Sequence, residues 1–323
     1  MEERRADPED WTWFAQRFAD IRGNIERVIQ GKSAEIRLAL VALVAEGHLL
    51  IEDVPGVGKT MLAKAMARSI DCSFRRIQFT PDLLPTDITG VNVYNQERGD
   101  FEFKPGAIFA NIVLGDEINR ASPKTQSALL ESMEERQVTV DAVSYQLGVP
   151  FMVVATQNPI EHEGTYPLPE AQLDRFMMRV AIGYPEAESE VEILATHGSH
   201  STLEDIGRVT DASGAARMMA TAREVFVADS LRRYIVDLAE ATRRHPDVYL
   251  GASPRASIML LRATRAMAAS DGRDYATPDD IKALAIPVLA HRLIVSADAA
   301  MSGRNADTIL ADTLDEVPVP VSG

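Results

Sequence analysis

Only one cysteine, Cys72, stands in 323 residues, so no disulfide can form within the chain and a zinc site built on several thiolates is excluded. The expectation is a reducing, cytoplasmic compartment. Long apolar runs are missing too. The longest, Leu38–Ala45 and Ala283–Ala290, span eight residues each, against the roughly 20 that a membrane helix needs. The opening MEERRADPED lacks the apolar stretch of a secretory signal. Positive charge is scarce: 33 Lys and Arg against 48 Asp and Glu leave a net charge of −15. Sequence-independent binding to nucleic acid or anionic membrane rests on Lys and Arg, so the whole chain is a poor candidate for it, while a local basic groove stays compatible.

What is present is ordinary globular material, 46% hydrophobic and 25% charged. That is enough for a proper core and about two domains. Residues 1–10 read as a loose tail. Trp11–Ile29 has helical spacing, and Ser33 is a good N-cap for the next helix, which carries Ile36, Leu40, Leu43 and Val44 on one face. His48–Val54 reads as a buried strand and Lys59–Ile70 as a helix. VNVY and FEF flank a polar turn containing Gly99, a hairpin signal; QVTV and VSYQL suggest a second hairpin around Asp141 and Ala142. Ser122–Arg136 is helical. The run PFMVVATQNP fits a strand covered on both faces of a parallel sheet. The alternation predicts an α/β, doubly wound core with two hairpin insertions over 11–185. Strands stop after Pro185, so 186–300 reads as a smaller all-α domain, and 301–323, with Asp307, Asp312, Asp315 and Glu316, as a flexible acidic tail.

Residues 53–60, DVPGVGKT, sit between a strand and a helix. Backbone N–H groups in such a loop make an anion cradle. The expected nucleotide loop is Asp53, Val54, Pro55, Gly56, Val57, Gly58, Lys59, Thr60 and Met61. Lys59 is placed to reach the β- and γ-phosphates and Thr60 to put its hydroxyl on Mg²⁺. Asp53 stands where the strict pattern wants Gly; the phosphate-facing residues are intact, and exchange for Gly is expected to leave ATP binding nearly unchanged. A Gly-rich turn capping an ordinary helix remains the bland alternative.

IVLGDE at 112–117 ends an apolar strand in two acids, at the edge where open α/β sheets bind ligands. Asp116 can hold Mg²⁺ through water, and Glu117 can act as general base on an attacking water. Alone, solvated acids at a strand end explain this; paired with the loop upstream, a Mg-nucleotide site does.

IEDVPGVGKT, VLGDEINRASPKTQSALLESMEERQV, ATQNPIEHEGTYPLPEAQLDRF and GASPRAS together resemble the MoxR family of AAA+ ATPases, over about residues 18–297. The resemblance implies an αβα ATPase core, a helical lid and a ring, usually hexameric. It matches the hairpins to a helix-2 insert near 91–103 and a pre-sensor hairpin near 137–147. It implies ATP and Mg²⁺ as cofactors and sensor 1 at Asn158, with a turn-forming Asn before Pro159 as the alternative. Arg175 matches the arginine finger, which acts on a neighbour's nucleotide; its alternative is a salt bridge to Asp174 or Glu170. Arg255 matches sensor 2. It follows Pro254 at a helix start, where a cation opposes the helix dipole unless an anion is present; a surface arginine is the other option. Arg120 and Lys124 are weaker candidates for contact with a neighbour or substrate. Relatives often work with von Willebrand A-domain proteins on protein clients.

ATP-driven remodelling of a protein client is therefore the leading expectation, with a nucleic-acid motor and a non-hydrolysing switch as alternatives. The charge opposes the motor, and Glu117 with Arg175 opposes the switch. His197 and His200 lack a third ligand for a metal. Glu161, His162 and Glu163 read as a solvated loop.

Overall fold

The computed structural model describes residues 7–159, 164–197 and 202–320. Glu161, His162, Glu163 and His200 lie outside the described residues, as does the side chain of His197. Helices α1 (Pro8–Glu26) and α2 (Ser33–Val44) lead into β1 (Leu49–Glu52) and α3 (Lys59–Ser69). Strand β2 (Phe74–Gln78) and the short α4 (Pro85–Thr89) precede the first hairpin, β3 (Gly90–Asn95) and β4 (Asp100–Pro105). Next come β5 (Ile112–Asp116) and α5 (Pro123–Glu135), then the second hairpin, β6 (Gln137–Val140) and β7 (Val143–Gln146). The core closes with β8 (Met152–Gln157), α6 (Glu170–Leu173) and β9 (Met178–Val180). Helix α7 (Ala187–His197) leads to the lid: α8 (Ala212–Arg223), α9 (Asp229–Arg244), β10 (Val248–Leu250), α10 (Pro254–Ser270), α11 (Pro278–Leu289), β11 (Ile294–Val295), α12 (Ala297–Met301) and α13 (Ala306–Glu316).

Five parallel strands form the central sheet in the order β2-β5-β8-β1-β9. Side chains alternate across it. Leu49, Ile51, Ile112, Leu114, Met152 and Val154 join the core beneath α1, α2, α3 and the lid. Leu50, Val113, Val153 and Ala155 join a second core with Phe79, Leu129 and Leu130. The inner strands are therefore apolar on both faces, as parallel strands covered by helices must be. The edge strand β2 exposes Arg75, Arg76 and Gln78, which discourages pairing with another chain. Because every strand runs the same way, the tips after β1, β5 and β8 lie along one edge, and the residues before β1 lie at the other.

The hairpins pack on one another: Phe103 stacks on Tyr145 with centroids 4.0 Å apart, and Asn92 donates to Asp141 Oδ2 at 2.7 Å. Asp141 and Ala142 take φ of 48° and 66°, closing the tight turn expected there.

Several boundaries differ from the sequence expectation. The N-terminal helix starts at Pro8, inside the expected tail, because Asp7 and Asp10 form a capping box across its first turn. Ser33 is the first helical residue of α2 rather than its cap; Lys32 holds that position without a side-chain cap bond. Strands do not stop at Pro185: β10 and β11 pair antiparallel, too short to leave a periodic signal. The acidic tail is helical over Ala306–Glu316, capped by Asn305, with Ile309 and Leu310 buried. Its acids face outward, where Asp307 pairs with Arg179 and Asp312 with Arg304; acid content masked an amphipathic helix.

Candidate active site

The loop after β1 begins with a clamp. Asp53 is 8% exposed; its Oδ1 accepts from Val54 N at 2.8 Å and its Oδ2 from Gly183 N at 2.6 Å. Glycine could make neither bond, so Asp53 anchors the loop to the segment after β9 in a way the strict pattern's glycine could not. Gly56 and Gly58 take φ of 89° and 94°, backbone that a side chain rarely tolerates. Gly58 caps α3, whose first turn carries neither a side-chain cap nor an acid. Its orphan N–H groups are thus left for an anion. Lys59 is nearly buried, and its Nζ donates to Asp53 O at 2.7 Å, lying along the loop. This donor set of amides, one cation and the Thr60 hydroxyl fits a nucleotide's phosphates.

Both acids sit where the motif places them. Thr156, fully buried on neighbouring β8, donates from Oγ1 to Asp116 Oδ1 at 2.6 Å and accepts from Glu117 N at 2.9 Å. One hydroxyl thereby fixes the two carboxylate-bearing residues. Arg76 of β2 reaches the other oxygen of Asp116 at 2.6 Å. A carboxylate has lone pairs for this and for a water on Mg²⁺. Glu117 takes φ of 56°, a left-handed conformation costing about 1 kcal/mol, of the kind that clusters at functional sites. Gln78 donates to its Oε2 at 2.8 Å and Arg120 pairs with it at 3.3 Å. Asn158, 6% exposed, follows β8 and lines a cavity of about 290 Å³ with Glu52, Asn119 and Gln157. Since β8 lies between β5 and β1, Asn158 falls between the acids and the loop.

Arg175 and Arg255 meet elsewhere. Arg175 Nε lies 3.3 Å from Glu134 Oε2, and Arg255 Nη1 lies 3.1 Å from Glu134 Oε1. One carboxylate at the end of α5 holds both guanidiniums. It supplies the anion that Arg255 requires at the start of α10, where Ser253 is the N-cap and Pro254 the first residue. Residue 133 fixes this cluster's place: the His48 ring, just before β1, is 3.0 Å from Met133 O. Glu134 therefore lies at the starting edge of the sheet, and the phosphate loop at the finishing edge.

Asp174 does not pair with Arg175, as one alternative had it. Its carboxylate accepts from Arg292 Nε at 2.8 Å and from Ser253 Oγ at 3.2 Å. Arg292, whose side chain is 2% exposed, also donates to the carbonyls of Phe176 and Val288. Burial pulls its guanidinium down to about 10, against the lift from Asp174. It ties the lid to the backbone on both sides of Arg175. Sequence reasoning missed Arg292, Glu134 and Thr156. Thr156 lies inside the quoted ATQNP run and Glu134 inside ESMEERQ, but Arg292 follows α11 in no motif.

Comparison with known proteins agrees with this geometry. The profile of the ATPase family associated with various cellular activities matches residues 48–178, and that of the AAA lid domain residues 240–313. The lid match runs well into the segment expected as a tail. The chain is 50% identical to the Bacillus subtilis protein YeaC, covering 92% of this chain and 93% of that one. It is 41% identical to the chaperone MoxR1 of Mycobacterium tuberculosis, over 92% of this chain and 80% of that one. It is 32% identical to the MoxR protein of Paracoccus denitrificans, over 88% and 90% of the two chains. The crystal structure of a Cytophaga hutchinsonii protein assigned as an ATPase superposes with a TM-score of 0.91 at 38% identity, covering 97% and 98% of the chains. With core, lid and site in place, the chain belongs to the MoxR family of AAA+ ATPases and hydrolyses ATP.

Proposed function

We propose that this ATPase works as a ring, usually hexameric, with active sites shared between neighbouring copies, and that Mg²⁺-dependent turnover drives remodelling of a protein client in the cytoplasm. The observation that carries the shared site is the Arg175–Glu134–Arg255 cluster at the opposite edge of the sheet from Lys59. Within one chain neither arginine is placed to serve its own phosphate loop. A head-to-tail ring joins two different faces of the chain, and here it would set the starting edge of one copy against the finishing edge of the next.

Gly56, Gly58, Lys59 and the first turn of α3 would hold the phosphates, with Asp53 clamping the start of the loop, and Thr60 with Asp116 would hold the metal. Bound Mg-ATP supplies the phosphoryl group and the cation that offsets its charge. Glu117 takes the proton of the lytic water, and Asn158 orients that water. Arg175 and Arg255 of the adjoining copy exchange Glu134 for the phosphate and stabilise charge in the transition state. Arg292 and Asp174 hold Arg175 at its station.

The relative named a chaperone supports a protein client, and the net charge of −15 disfavours a nucleic-acid track. Tyr94 and Phe101, 53% and 65% exposed and edge to face at 5.3 Å, offer a contact beyond the packed base of the hairpins. A von Willebrand A-domain protein is the partner that the family suggests. No helix among the described residues is long and apolar enough to cross a membrane. Capture with a Glu117→Gln variant tests the client: it is expected to retain polypeptide in an ATP-dependent manner. Retention of nucleic acid instead, with DNA-stimulated turnover of the wild type, would contradict the reading.

A further inference from the structure

Two surfaces are left over by this mechanism, and they are opposite in charge. The first is a cavity of about 510 Å³ between core and lid, bordered by Glu46, Glu134, Arg136, Arg223, Arg262 and Arg265. Glu46 is already committed: burial pushes its carboxyl up, but Arg136 and Arg223 outweigh this and hold it below the usual range. Glu134 is committed to Arg175 and Arg255. Arg262 is exposed, and Arg265 Nε is buried without a hydrogen-bond partner among the described residues. Burial and the nearby Arg232 both disfavour the charge on Arg265, with Glu224 as partial relief. The cavity thus holds more positive charge than its own acids balance, above a floor that includes Met219 and Val44.

The second surface is α7. From Ala187 to His197 it carries Glu188, Glu190 and Glu192 and no Lys or Arg. Ser189 and Ile193, one turn apart, are half-buried and face inward. The outward side then presents Val191 and Leu194, 67% and 72% exposed, flanked by Glu188 and Glu190. Apolar residues rimmed by acids match an apolar floor rimmed by arginines.

Their positions complete the match. Helix α7 leaves the finishing edge of β9 and lies beside the phosphate loop. A Cβ on Gly31 would fall 2.5 Å from Ser189 Oγ, and one on Gly58 would fall 3.5 Å from Ile29 Cδ1, so residues 29–31 bridge the two. The cavity, lined by Glu46 and Glu134, lies at the starting edge with the trans-acting arginines. An arrangement that brings one copy's phosphates to its neighbour's Arg175 sets the edge carrying α7 against the edge carrying the neighbour's cavity.

We infer that α7 of each copy docks in the arginine-lined cavity of the next, through Glu188 and Glu190 on Arg262 and Arg265, and that this contact sets the affinity of ring assembly. The inference rests on the shared-site reading. The test measures specific ATPase activity against protein concentration, with ATP affinity measured in parallel. Glu188→Arg with Glu190→Arg, both at exposed positions, is expected to raise the concentration for half-maximal activity about tenfold or more and leave ATP affinity unchanged. Arg262→Glu with Arg265→Glu does the same, and the four changes together in one chain restore the wild-type midpoint; Arg262→Glu alone, at an exposed site, guards against misfolding of the pair. If wild-type activity depends on concentration but the α7 variant does not shift it, the docking is overturned while the shared site stands. A shift from the cavity variant alone assigns the cavity to another anion and also overturns the docking. Concentration-independent turnover by a monomeric wild type removes both.

Discussion

The two edges of the central sheet, which the proposed mechanism joins across copies, differ in how they are built. The finishing edge is assembled from short contiguous runs: residues 53–61, then Asp116 and Glu117, then Asn158. The starting edge gathers Glu134, Asp174, Arg175, Ser253, Arg255 and Arg292 from core and lid, with Asp174 and Arg292 118 positions apart. Phosphate binding uses backbone amides at a helix start, which only a local loop can supply. Charge stabilisation in trans needs guanidiniums, which can be mounted on any element that reaches the face. The first edge is therefore local chemistry; the second is tertiary structure.

Perturbing each edge should separate binding from turnover. Arg175→Ala has the largest expected effect: turnover falls by roughly 10³–10⁵ while ATP affinity holds, because its charge is needed in the transition state. Kinetics with parallel nucleotide titration would show it. Lys59→Ala acts at the other edge and should weaken ATP binding by about 3 kcal/mol, roughly 100-fold, as seen by calorimetry. Should both variants lose affinity equally, the division between the edges would fail.

Arg292→Met sharpens the comparison within the starting edge. It leaves Asp174 without its buried partner, so a loss of about 3–5 kcal/mol in unfolding free energy is expected, with turnover falling more than affinity. At the finishing edge, Thr156→Val removes the hydroxyl shared by Asp116 and Glu117 and should lower kcat about tenfold, with a loss of about 1–3 kcal/mol in unfolding free energy from the partners left unsatisfied.

Acid acts on the starting edge without any substitution. Buried His48 accepts from Val153 N at Nδ1 and meets Met133 O through Nε2, anchoring the end of α5 to the sheet. Burial holds its pKa down to about 4, against 6.5 when free. The unfolded chain therefore binds a proton between these values that the folded chain refuses. Its contribution is whole above pH 6.5 and is lost as pH falls toward 4, by up to about 3 kcal/mol. Urea melts at stepped pH should show this slope, and His48→Gln should flatten it.

The contrast between the edges also explains what the sequence made legible. The phosphate loop and both acids are readable because each follows a strand that ends in a motif, while Asn158 is readable only through the resemblance. Arg175 and Arg255 are readable through resemblance, but their meeting at Glu134 is not, since neither spacing nor composition says which carboxylate lies between them. Arg292 has no signal at all; its role comes from a turn after α11 reaching back into the core. Asp53 looked like a deviation from a glycine pattern because its partner, Gly183, lies 130 residues away. The last helix was hidden by its acids, although Ile309, Leu310 and Thr313 already had helical spacing.

The central claim is that the two edges of different copies form one site. Mixing Lys59→Ala with Arg175→Ala tests it most directly. The first variant keeps the starting edge and the second keeps the finishing edge, and at limiting ATP each alone is expected to hydrolyse very little. If sites are shared, mixed assemblies contain interfaces joining an intact loop to an intact arginine, and ATP hydrolysis returns on mixing, peaking near equal proportions. Hydrolysis that stays at the level of the separate variants, while mass measurements show that mixed assemblies have formed, would contradict the account.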